Sequence, residues 1–147
     1  MRRPIVKIMA SALLYLSLLV TVAAPRIIPT VSPVVLRQRC GSAEVEGCMA
    51  VTRLAFDCEC VRDDAWHIEV RASFVPEIFV RLPTHRLVAH ELGHVSDIRE
   101  QLERHASAIA ERRFASRDDC ERERAGVMQS LPSAVKGFAE ISQRERR

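Results

Sequence analysis

This chain of 147 residues predicts an α+β fold: a small antiparallel β-sheet, then a long helix carrying His90-Glu91-Leu92-Gly93-His94, then a further C-terminal helical region. Three observations predict it. Apolar residues alternate with polar ones over 51–61 and again over 66–74, the period of strands with one buried face. Leu87, Val88, Leu92, Val95, Ile98 and Leu102 recur at helical spacing. Val127, Met128, Leu131, Val135, Phe138 and Ile141 form a second apolar helical face.

Residues 1–24 read as a signal peptide or N-terminal anchor. Arg2, Arg3 and Lys7 precede an uncharged apolar run from Ile8 to Ala24, closed by the small residues Ala23 and Ala24. The run is at the low edge of a membrane span, which favours a cleaved leader and an exported, secreted or periplasmic protein. A membrane is a partner only if the leader stays. The chain has 22 basic and 19 acidic residues, and three of the basic ones lie in the leader. The remainder is balanced, so charge gives no reason to expect a nucleic-acid partner.

Residues 25–50 read as a linker and a Cys-containing loop, with the Pro-dotted, β-branched start of this region as linker or edge strand. Residues 51–147 form the α+β domain. Cys40, Cys48, Cys58, Cys60 and Cys120 suit disulfides in an exported chain, with one thiol left over. A link from the Cys58/Cys60 region to Cys120 would clamp the segment before the motif helix to the segment after it.

Within the domain, Leu54, Phe56, Cys58 and Cys60 alternate with Arg53, Ala55, Asp57 and Glu59. Asp63-Asp64 marks a turn. Trp66, Ile68, Val70, Ala72 and Phe74 then alternate with His67, Glu69, Arg71 and Ser73, completing a hairpin. A third short strand is expected at 78–82, after Pro76. Thr84, after Pro83, is the expected N-cap of the motif helix. That helix is expected to fray near 115–118. The second helical region, from about Glu121, should break or kink at Pro132.

The motif carries the chemistry. On a helix, residues four apart lie about 40° from each other with a rise of about 6 Å, so His90 and His94 share a face and can bind one Zn²⁺. Glu91 stands beside them as the candidate general base for a water activated by the metal. Asp97, seven residues after His90, lies near the same face and is the candidate third ligand or a partner of His94. His105, about 16 Å along the helix from His94, is too far to share the ion. His67 and His85 read as surface residues. The one tyrosine, Tyr15, lies in the leader, so oxyanion stabilisation would fall to the metal, His67 or an arginine.

Strands followed by a His-Glu-x-x-His helix and another helix resemble the zincin metallopeptidases, and small exported His-Glu-x-x-His proteins in particular. The resemblance implies His90 and His94 as zinc ligands, Glu91 as catalytic base, an edge strand that holds a substrate backbone, and a peptide or protein substrate. Metzincins continue with Gly and a third His where this chain has Asp97 and Glu100, so that branch is excluded. In gluzincins a Glu of the following helix is the third ligand, which makes Glu121 and Glu123 alternatives to Asp97. The alternative to catalysis is a disulfide-stabilised zinc-binding or interaction domain.

Overall fold

The computed structural model describes residues 19–146. Strands β1 (Val20–Val22) and β2 (Arg26–Pro29) precede helix α1 (Pro33–Cys40). Strands β3 (Gly47–Arg62) and β4 (Trp66–Val80) follow, then helices α2 (His85–Ala110) and α3 (Arg117–Glu145). The fold is α+β.

The hairpin forms as its alternation predicts. β3 and β4 pair antiparallel from Gly47↔Val80 to Arg62↔Trp66. Asp63 Oδ1 accepts from the Ala65 N–H at 3.2 Å and closes the turn. The register shifts between Thr52 and Ala55, where Arg53 takes a positive φ of 48°: a bulge that keeps Leu54, Phe56, Cys58 and Cys60 on the inner face.

The rest of the sheet differs from expectation. β1 and β2 both pair parallel with β4, against 72–74 and 77–80 respectively, so the sheet is mixed rather than antiparallel. The third strand is not separate, because β4 runs on through Pro76. Pro76 lies opposite the break between β1 and β2, where its missing N–H interrupts no paired residue on that edge. Residues 25–50 begin with β2, the edge strand that is one of the two readings of their start, and also hold α1 and the start of β3. Residues 1–18, most of the expected leader and including Tyr15, lie outside the described residues; the end of that leader is β1, whose Val20 is buried in the core.

Thr84 caps α2 by accepting from the Leu87 N–H at 3.2 Å. At 26 residues α2 is shorter than the 29-residue α3, so the motif helix is not the longest element of the helical layer. Ser116 caps α3 with Asp118 and Asp119 in its first turn, so this helix begins before Glu121. It continues through Pro132 instead of breaking there: Val127, Leu131 and Val135 are buried on one side of that turn while Pro132 faces out. Packing of the apolar stripe outweighs the lost backbone hydrogen bond.

The core lies between one sheet face and the two long helices. Ile68, Val70, Ala72 and Phe74 of β4 meet Val95, Ile98, Leu102 and Ala106 of α2 and Val127, Leu131 and Val135 of α3. Leu92, expected in this band, is 38 % exposed. Cys60–Cys120 ties the end of β3 to the start of α3, and Cys40–Cys48 ties α1 to the start of β3. Cys58 is the free, buried thiol. The two bonds fit an oxidising compartment. Among the described residues, no helix is long and apolar enough to cross a membrane.

These connections decide where the motif sits. α2 starts just after the Val80 end of β4 and runs back about 39 Å, to where Phe114 bridges to Trp66 at the other end. α3 then returns, bringing its last turns alongside the first turns of α2.

Candidate metal centre

His90, Glu91 and His94 occupy the second and third turns of α2. One ligand atom from each lies within 4.8 Å of the other two, so the group could hold a metal ion. His90 is exposed at the rim, while Glu91 and His94 are buried. The imidazole rings stand edge to face with centroids 4.9 Å apart. They line a cavity of about 250 Å³ together with Gly47, Cys48 and Met49 of β3, Cys40, Gln143 of α3 and Arg146 at the C-cap of α3.

Burial pushes the Glu91 carboxyl above its ordinary value, partly countered by the charge of His90. Burial, then His90 and Arg146, push His94 down, so its neutral, metal-binding form is favoured.

Asp97 is turned to another task. Its carboxylate accepts from Arg146 Nε at 2.6 Å and Arg146 Nη2 at 2.8 Å, and from Ser142 Oγ at 2.6 Å. The Arg146 guanidinium is the main cause that holds this carboxyl down to about 2. Ser142 Oγ also lies 2.8 Å from His94 Nδ1. Asp97 therefore reaches His94 through a serine and is not among the three converging side chains. Gly93 permits the arrangement: a Cβ there would meet the Arg146 guanidinium at 2.5–2.6 Å.

Glu121 and Glu123 are at the wrong end of α3. They lie about 19–21 residues before Ser142, roughly 30 Å along a helix. There they pair with Arg124 and Arg112. His67 is likewise about 40 Å along β4 from Val80, the partner of Gly47. It is buried rather than solvated, and its Nδ1 lacks a hydrogen-bond partner. His105 packs edge-on against Phe138, and His85 is exposed.

No family model, curated protein or solved structure matches this chain. What the site can do rests on its own geometry.

Ser142, in contact with His94 and Asp97, is the residue beside the candidate site that sequence reasoning missed. A signal was available: Val127, Leu131, Val135 and Phe138 step down one face of α3, and Ser142 falls four residues further on that face. A fully buried hydroxyl there needs a partner.

Proposed function

We propose that this protein is an exported zinc-dependent metallohydrolase, with peptide bonds as its substrate class. The observation that carries the reading is the convergence of His90, His94 and Glu91 on a cavity bordered by the first residues of β3. Two imidazoles on one helix face suit Zn²⁺, and with Glu91 kept as the base the remaining coordination positions are left to water and substrate. Bound zinc would act as a Lewis acid and lower the pKa of water toward neutrality.

The chain's own residues supply the remaining steps. Glu91, its carboxylate basicity raised by burial, takes a proton from water as it attacks the carbonyl carbon, and delivers it to the leaving amine. Arg146 is the one arginine or lysine in the lining, but its charge is paired with Asp97, so stabilisation of an anionic transition state would fall chiefly to the metal. β3 has β4 as its one strand partner among the described residues, and its other edge is the place where an extended peptide would pair if α1 leaves it room. The disulfides and the basic-then-apolar start of the chain support export to the periplasm or outside the cell.

One observation favours a second reading, a zinc-binding domain without catalysis. Asp97, Glu121 and Glu123 are all engaged elsewhere, which leaves Glu91 itself as the carboxylate nearest both histidines. A Glu91 that ligates zinc is not a free base.

Glu91→Gln separates the two. Zinc content by elemental analysis and turnover of a mixed peptide library are measured for the oxidised wild type and the variant. Retained zinc with lost turnover is the expected result. Lost zinc favours the binding domain, and full turnover without the carboxylate refutes the mechanism. His90→Ala with His94→Ala should abolish zinc uptake in either case.

A further inference from the structure

We propose that Ser142, backed by Asp97, is a positioning residue that holds His94 in the Nδ1-protonated tautomer and so presents His94 Nε2 to a metal. The inference rests on the metal-site reading above and adds residues from the far end of the chain to it.

A count of protons carries it. Asp97 is clasped by two guanidinium N–H groups of Arg146, so it is ionised and can only accept. Ser142 has one hydroxyl proton and lies 2.6 Å from Asp97 Oδ2, the acceptor that claims that proton. What remains on Ser142 Oγ is lone-pair density, and it faces His94 Nδ1 at 2.8 Å. A hydrogen bond at that separation requires Nδ1 to be the donor. The opposite tautomer would set two lone pairs against each other. No water can relieve the clash at Ser142, because that residue is 0 % exposed.

Donation therefore runs in one direction, from His94 Nδ1–H to Ser142 Oγ and from Ser142 Oγ–H to Asp97, with Arg146 fixing the far end. In a neutral imidazole whose Nδ1 carries the proton, Nε2 holds the free lone pair. His94 lines the cavity, so the chain assigns Nε2 as its donor atom. The arrangement also means that the site is complete only when the last turn of α3 is docked on α2. Ser142 and Arg146 lie 48 and 49 residues from their respective partners His94 and Asp97.

The test reads the tautomer in metal-free protein, so it does not depend on zinc binding. Long-range proton–nitrogen NMR spectra of ¹⁵N-histidine-labelled protein, taken at about pH 8 where imidazoles are neutral, should show His94 with Nδ1 protonated and Nε2 bare. Ser142→Ala should shift His94 toward the Nε2-protonated form usual in water. Ser142→Thr should restore the wild-type pattern. Zinc affinity, by competition with a chromogenic chelator, should fall about 10- to 100-fold in Ser142→Ala and recover in Ser142→Thr.

Wild-type His94 protonated on Nε2 overturns the proposal, as does a Ser142→Ala variant with unchanged tautomer and affinity. If the alanine variant does not fold, the wild-type tautomer decides alone. A wild type that shows the Nδ1–H form yet takes up no zinc leaves the positioning chain standing and removes the metal reading instead.

Discussion

Replacing Asp97 by Asn tests the ionic clasp at the end of α3 through its pH dependence. Asn keeps the size of the side chain and removes the charge that Arg146 grips. The folded carboxyl titrates at about 2 against an ordinary 3.8, a difference worth about 2.5 kcal/mol at full strength. The Arg146 side chain is 37 % exposed and that of Asp97 22 %, so solvent screening reduces the expectation to about 1 kcal/mol.

The sign follows from the depressed folded value. The wild-type advantage is fully present above about pH 4 and drains away as pH falls through the folded pKa near 2. Urea denaturation of the metal-free wild type and Asp97→Asn, from about pH 7 down to about pH 2.5, should show a constant gap that then narrows. Salt should shrink the gap at neutral pH. A gap that stays the same down to the lowest pH, or is absent at pH 7, refutes the clasp as an electrostatic contact.

Other outcomes follow from the cysteines. Removing Cys60–Cys120, which closes a separation of 60 residues, should cost about 4 kcal/mol by loop entropy. Removing Cys40–Cys48, with a separation of 8, should cost about 2.5 kcal/mol, and the reverse order in thermal or urea melts contradicts that account. Cys58 is 5 % exposed and its thiol is pushed up by burial and then by Asp57, so one thiol per chain should react with a thiol reagent only after unfolding. Ile98→Ala, at a fully buried position in α2, should cost about 2–5 kcal/mol without changing zinc stoichiometry.

Much of this molecule is legible from local periodicity. The alternation around Asp63-Asp64 specifies the hairpin, and Thr84 with the stripe from Val95 to Leu102 specifies α2 and the face its motif occupies. The Cys60–Cys120 link could be anticipated because it joins the segments flanking that helix. What could not be read was set by long-range pairing. Arg26–Pro29 could be read as an edge strand, but its parallel pairing depends on β4 having an unpaired side, which nothing local announces. Pro132 is expected to break or kink the helix because its local cost is visible; that the helix runs on past it reflects the burial of Val127, Leu131 and Val135, which is not visible locally. Helical spacing offers Asp97 as a third ligand or a partner of His94; the hydrogen-bond partners through which it reaches the site, Ser142 and Arg146, are 45 and 49 residues away. Glu121 and Glu123 share a helix with Ser142 but stand at its other end.

The Cys40–Cys48 bond forms part of the cavity wall beside His90 and His94. Chemically, that wall has two identities. Oxidised, it is inert to metals. Reduced, it becomes a pair of soft thiolate donors on the same cavity as two imidazoles, and thiolates compete strongly for zinc. A sample handled in thiol reductant would then present a different ligand field from the same protein in air. Cobalt substitution would reveal it, because sulfur ligation adds intense charge-transfer absorption that nitrogen and oxygen donors lack. Identical cobalt spectra with and without reductant would show the two sulfurs to be out of reach of the ion.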